Sequence, residues 1–205
     1  MVYLRQVLRY FAVVALAGCY AETGVGVAPG GPTIHGSMGV IVHFGTAASV
    51  RAGLGAGMGP YRPATGETGK LTTVPVDVGV EARVIGNAWD SLVVSLDAHP
   101  SFTGHIHAPD SDDSEPATTF RGFAGVGYHH DWWQAPKRRE PDEPASRVIT
   151  SITTAVGAEL WYGDSSSAAR ESSTRVGVAM SVMFEVRAWI FLEALACAGK
   201  SSSCD

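Results

Sequence analysis

Apolar and polar positions alternate with a period of two along "ASVRAGLGAGMG", Ala48 to Gly59. Ala48, Val50, Ala52, Leu54, Ala56 and Met58 share one face, and Ser49, Arg51, Gly53, Gly55, Gly57 and Gly59 share the other. Alternation held over such a length predicts a strand with two unlike faces. The next run, Thr72 to Val84, sets Thr72, Val74, Val76, Val78, Val80, Ala82 and Val84 against Thr73, Pro75, Asp77, Gly79, Glu81 and Arg83. Met38, Val40, Val42 and Phe44 oppose Gly39, Ile41 and His43, while Leu92, Val94, Leu96 and Ala98 oppose Val93, Ser95, Asp97 and His99. Phe120, Ala124, Val126 and Tyr128 oppose Arg121, Phe123, Gly125 and Gly127. Two later runs, Val148 to Leu160 and Arg175 to Arg187, split the same way. Helical spacing fits none of them as well, so the expected fold is all-β and antiparallel.

Two architectures share this pattern. A soluble barrel or sandwich turns its apolar face inward, whereas a transmembrane barrel turns it outward to lipid and keeps its polar face in the lumen. Three features favour the second. The polar face is rich in glycine, which weakens an exposed strand but suits the cramped interior of a narrow barrel. The charges of that face balance: Arg51, Arg83, Arg121, Arg175 and Arg187 against Asp77, Glu81, Asp97, Glu159 and Glu185. Buried charge must be paired, whereas a solvated face has no such need. Several runs also reach the roughly ten residues that a tilted membrane strand requires. Phe44, Tyr61, Trp89, Phe102, Trp132, Trp133, Trp161, Tyr162 and Trp189 fall near strand ends, where interfacial aromatic girdles are expected.

The expectation is an antiparallel up-and-down β-barrel of about eight strands, preceded by a cleaved signal peptide. Seven runs are clear, and the eighth is sought in Glu22–Ala28 or in Trp189–Cys197. Pro60–Lys70, Thr103–Ala117 and His130–Ser146 read as long loops, the last of them on the side expected to carry short turns.

The first residues change the picture. Arg5 and Arg9 precede a short apolar run, Phe11 to Ala17, with no acidic residue before it. That run is too short to cross a bilayer as a helix, and with the basic start it has the build of a secretory signal peptide. Leu16-Ala17-Gly18-Cys19 then resembles the lipobox of bacterial lipoproteins. The resemblance covers residues 1–19 and implies cleavage before Cys19, acylation of that cysteine by chains such as palmitate, and, because Tyr20 follows it, sorting to the outer membrane. Ordinary cleavage after Ala21 is the competing reading. The implied organisation is a signal peptide over 1–18, a lipidated linker over 19–35, the barrel over 36–191 and a C-terminal segment over 192–205. Cys197 and Cys204 are candidates for a small disulfide-closed loop of modest value.

Composition narrows the partners. The net charge is −5 with no basic run, which argues against nucleic acid, and three lysines among 24 glycines are few for a soluble surface. The expected partners are outer-membrane lipid and lipopolysaccharide or another envelope component, met through Trp132, Trp133, Lys137, Arg138 and Arg139. His105 and His107 form a His-x-His that is a weak metal candidate, beside Asp110, Asp112, Asp113 and Glu115. Ser95, Asp97 and His99 share the inward face, yet no nucleophile elbow, zinc-protease motif or phosphate loop is present, so no enzyme and no cofactor is expected. The expected role is a lipid-anchored outer-membrane barrel, structural or engaged in surface interaction, its pore closed or passing only small solutes. The alternative is a tethered soluble barrel holding an apolar ligand.

Overall fold

The computed structural model describes residues 17–44, 47–61, 69–87, 89–107, 114–136, 146–165 and 172–187. These form β1 (Ala17–Ala28), β2 (Gly31–Phe44), β3 (Ala48–Tyr61), β4 (Gly69–Thr73), β5 (Val76–Gly86), β6 (Asp90–His107), β7 (Ser114–Pro136), β8 (Ser146–Ser165) and β9 (Ser172–Val186). Every pairing is antiparallel, and β1 pairs with β9 as well as with β2, which closes the sheet into a barrel.

β4 and β5 are two pieces of one stave, since both pair with β3 on one side and β6 on the other. The barrel therefore has eight staves. The break falls at Val74–Pro75. Pro75 has no N–H to give the ladder, which is why a proline interrupts a central strand. The freed carbonyls find other donors: Gly55 N–H bonds Pro75 O at 3.0 Å, and the Ser101 and Thr103 hydroxyls donate to Val74 O at 2.9 and 3.2 Å. Ser101 and Thr103 are supplied by a bulge in β6 facing the break.

The stave missing from the clear runs is β1. One of its two candidates, Glu22–Ala28, lies within it. The linker expected over 19–35 is thus corrected, because this segment is β1 and the first part of β2, joined by a tight Pro29–Gly30 turn. Gly30 and Gly31 take φ of 109° and 150°, a region open to glycine. The expected loops are also shorter than read. β6 and β7 run on to pair His107 with Ser114, and β7 and β8 to pair Pro136 with Ser146. The latter ribbon passes the last pairs made with its neighbours, Asp90–His130 and Thr150–Val186. Residues 1–16, the Trp189–Cys197 segment, Cys197 and Cys204 lie outside the described residues.

Antiparallel order puts the starts of β1, β3, β6 and β8 and the ends of β2, β5, β7 and β9 on one rim, called here the terminal rim. The starts of β2, β4, β7 and β9 and the ends of β1, β3, β6 and β8 lie on the far rim.

The two faces are placed unambiguously. Val78 and Val80 are each 44% exposed, while Asp77, between them and the proline, is fully buried. The apolar side points outward on every stave, and among the described residues the outward Met38, Leu54, Leu96, Val126, Val156 and Val178 are all exposed. On β6 the band runs from Leu92 to Phe102, about ten residue steps; at about 3.3 Å per residue and about 40° of tilt that is ~25 Å, the height of a membrane barrel's apolar band.

Among the described residues, buried apolar side chains gather inside the barrel in clusters. Tyr61, Leu71, Ile106, Ala117 and Trp161 form an apolar cluster towards the far rim, and Tyr20, Ile41 and Met183 another deeper in. Tyr61 and Trp161 are a correction to the expected girdle, since both point inward. The alternation itself accounts for it, because Tyr61 follows Gly57 and Gly59, and Trp161 follows Gly157 and Glu159, on inward positions. Phe44, Trp89, Phe102 and Trp132 are outward and exposed, and Tyr162 is half-buried. The Trp133 side chain and Trp189 lie outside the described part.

The Trp161 indole lies against Gly57 and Gly59. A Cβ on Gly59 would come within 3.0–3.3 Å of the Trp161 ring atoms Cδ2, Cε3 and Cε2. Gly59→Leu is expected to cost about 1–3 kcal/mol by overpacking. Urea unfolding of the barrel in micelles measures it, and a combined Gly59→Leu, Trp161→Ala chain should recover part of the loss.

Candidate functional site

The polar chemistry of this barrel is concentrated in its interior, and Arg51 of β3 is at the centre of it. Its NH2 lies 2.9 Å from Glu22 Oε2 and 2.5 Å from Asp97 Oδ1, and its Nε lies 4.0 Å from Asp77 Oδ2. NH1 points at the Met183 sulfur at 3.4 Å, and the guanidinium sits 5.8 Å from the Tyr20 ring centroid. These residues come from five staves. Arg51 and Asp97 meet because Gly79 stands between them in register on β5, and a Cβ there would fall 2.6 Å from Arg51 Nε. Glycine at this position is the gap through which the ion pair forms.

A chain of polar contacts leads away from Arg51. Tyr20 donates its hydroxyl to Asp77 Oδ2, and His99 Nδ1 faces Asp77 Oδ1 at 3.2 Å. The other His99 nitrogen, Nε2, lies 2.9 Å from Arg121 NH1. A guanidinium only donates, so Nε2 accepts and the ring proton sits on Nδ1, towards Asp77. Arg121 Nε in turn bonds Glu159 Oε2 at 3.4 Å. Glu159 also accepts from Trp161 Nε1 at 2.9 Å and from the Thr33 hydroxyl. The charged centre is thereby tied to the apolar cluster at the far end. His35 lies over Gly24, its register partner, with Nε2 3.6 Å from Glu22 Oε1.

Two further clusters lie towards the terminal rim. His129 Nδ1 is 2.8 Å from Thr153 Oγ1 and 3.4 Å from Glu81 Oε1. Its Nε2 is 2.6 Å from Arg83 NH2 and 2.9 Å from Asp131 Oδ1. Glu185 takes His43 Nε2 at 2.6 Å, the Ser151 hydroxyl at 3.2 Å and Arg187 Nε at 3.3 Å.

The structure therefore places Arg51, Asp77 and Asp97 together, Arg121 with Glu159, Arg83 and Glu81 around one histidine, and Arg187 with Glu185. Arg175 is half-buried on β9, opposite Trp161 in register. Sequence reasoning misses Glu22, His35 and Asp131 as members of this interior. Glu22 reads only as one end of a candidate strand, and His129 and Asp131 as part of an exposed loop. The signal is present, since His129 and Asp131 continue the inward series Phe123, Gly125, Gly127. His99 engages Asp77 and Arg121 rather than Asp97 or Ser95.

His105 and His107 end β6 on its outward side, with His107 Nε2 3.1 Å from Thr72 Oγ1. Asp110, Asp112 and Asp113 lie outside the described residues, as do Lys137, Arg138 and Arg139. Among the described residues no group of three or more His, Cys, Asp or Glu is arranged to hold a metal ion. Cys19 carries a free, exposed thiol and lies between Val40 and Val186 in register.

No family model and no curated protein matches this chain. Among solved structures it is similar to the N-terminal β-barrel domain of Pseudomonas aeruginosa OprF, with 12% sequence identity, 81% of this chain and 96% of that one covered, and a TM-score of 0.38.

What the interior can do follows from its chemistry. Its charges are buried and meet partners from many strands, so it ties the staves together. Two apolar hollows, lined by described residues, lie on the barrel's outer surface.

Removing Arg51 leaves Glu22, Asp77 and Asp97 facing one another without their shared cation. Breaking a buried charge set in this way costs about 3–5 kcal/mol. Arg51→Met should therefore lower stability by that amount in micelle unfolding titrations. Gly79→Val should reproduce much of the loss without touching a charge, and wild-type stability in both variants would contradict the assignment.

Proposed function

We propose that this chain is a lipid-anchored outer-membrane β-barrel with a structural or surface-interaction role and a closed lumen. One observation carries the reading: every stave turns apolar side chains outward and polar ones inward, as the neighbours Val78 and Asp77 do on β5. In water such a surface would expose a continuous apolar belt far larger than monomeric soluble proteins carry, whereas in a bilayer the same belt is solvated by lipid tails. The belt is bounded by polar groups at both ends: Asp90 and His130 at the terminal rim, Lys70 and Asp164 at the far rim. Phe44, Trp89 and Trp132 are exposed close to the terminal rim, and Phe102 nearer the far one, where aromatic side chains favour the interface.

The anchor is read from Cys19. Its thiol is exposed on the outward side of β1, close to the terminal rim, so acyl chains attached there would enter the same lipid that covers Val40 and Val186. Cleavage before Cys19 keeps Tyr20 in the charged interior, whereas cleavage after Ala21 would remove it together with its bond to Asp77. The closed lumen is read from the filled interior, with Arg51 and its carboxylates at mid-height and the Trp161 cluster beyond them. The role assigned is structural rather than catalytic, and outer-membrane lipid is the partner it requires.

Folding tests the membrane reading. Residues 20–205 should stay unfolded in buffer, and should gain β-type circular dichroism and heat-modifiable gel mobility only when micelles or lipid are supplied. A cooperatively folded monomer without amphiphile would contradict it. For the anchor, metabolic labelling with palmitate should mark the full chain and be lost in Cys19→Ser, while the heat-modifiable barrel still forms.

A further inference from the structure

The larger of these two hollows, about 560 Å³, is a groove on the outer face across β5–β9. Leu92, Val94, Val126, Val156 and Met180 line it, and Tyr128 walls the end nearer the terminal rim. Just past Tyr128 the surface changes character. The Tyr128 hydroxyl donates to Asp90 Oδ1, and His130 Nδ1 lies 2.7 Å from the same oxygen. The two rings stack, 8° from parallel with centroids 6.4 Å apart. The Asn87 side chain is a further partner of this carboxyl, and the Asp90 side chain keeps 37% of its exposure. Trp89, exposed, precedes it in the chain. At this end of β6, beyond the apolar band, the Tyr128 hydroxyl and the His130 ring both turn towards the Asp90 carboxyl, which is the acidic group at the groove's mouth.

We propose that this groove and the Asp90 rim together bind one phospholipid with an ammonium headgroup. The proposal rests on the membrane reading above. The tail lies along the groove, and the ammonium meets the exposed part of the Asp90 carboxyl. Three observations select this occupant. The groove opens sideways onto the apolar belt, so what fills it comes from the hydrocarbon layer. Asp90 is only two residues from Leu92 at the groove's end, about 7 Å along the strand, which a single lipid spans easily. The charge at the mouth is that of a carboxylate, which attracts an ammonium group and repels a headgroup of net negative charge.

The test uses the full-length protein extracted from membranes in dodecyl maltoside. Micelles are doped with equal amounts of dioleoyl phosphatidylethanolamine and dioleoyl phosphatidylglycerol, and retained lipid is counted by native mass spectrometry. The ethanolamine lipid should be retained about fivefold over the glycerol lipid, the size of preference an exposed charge pair yields. Asp90→Asn should bring the two close to parity. Val126→Trp, which fills the groove, should reduce retention of both while heat-modifiable mobility persists. Equal retention by the wild-type barrel, or a preference unchanged in Asp90→Asn, overturns the site and leaves the membrane reading standing. A protein that stays folded and soluble without detergent overturns the membrane reading, and the site with it.

Discussion

Charge buried inside a narrow barrel has to be paired, and the rest of this structure depends on that constraint. Arg51 meets it by drawing Glu22 from β1, Asp97 from β6 and Asp77 from β5 towards one guanidinium. Each of those carboxylates, left alone in a desolvated interior, would cost several kcal/mol. Because the partners come from different staves, satisfying the charge fixes the staves relative to one another. The same logic extends through His99 to Arg121 and Glu159, and from Glu159 to the indole of Trp161. An interior that would be a liability in a conventional core becomes the element that sets register here.

Glycine makes the pairing sterically feasible. Gly79 leaves the space in which Arg51 and Asp97 touch, Gly24 accommodates the His35 ring, and Gly59 accepts the face of Trp161. Large and small residues are thus matched across neighbouring strands on the inside, while the outside carries β-branched and long apolar side chains that need no such matching. On the proposed membrane reading, lipid tails would solvate that outer side without demanding shape complementarity. The specificity of the fold is therefore written on the polar face, and the apolar face is comparatively free to vary.

Much of this is legible in the chain because a period of two has only two faces. Once Asp77, Arg51 and Glu159 are assigned to one side, their inward direction follows from the balance of charge and the abundance of glycine. The stave count is harder. β1 is short of charge and rich in glycine, so Glu22–Ala28 carries a weak signal, and Pro75 makes one stave look less regular than it is. Trp161 reads as a girdle residue when position near a strand end is weighed above parity, although it keeps step with Glu159. His129 and Asp131 are hidden by the prolines and charges that follow them, which draw the loop boundary too early. The balance of arginine against carboxylate is also incomplete. Glu22 and Asp131 add to the acids; Arg51 and His35 face the first, and Arg83 and His129 the second.

The central claim is that the apolar face meets lipid. The most direct measurement is the paramagnetic accessibility of a spin label placed at Val78 in bilayers, with the native cysteines replaced by serine. A label there should collide with oxygen far more than with a water-soluble nickel chelate, and a label at Ser91 on the inward face should not show that preference. A label at Val78 that is readily reached by the nickel chelate would contradict the account, because the outward face would then be in water.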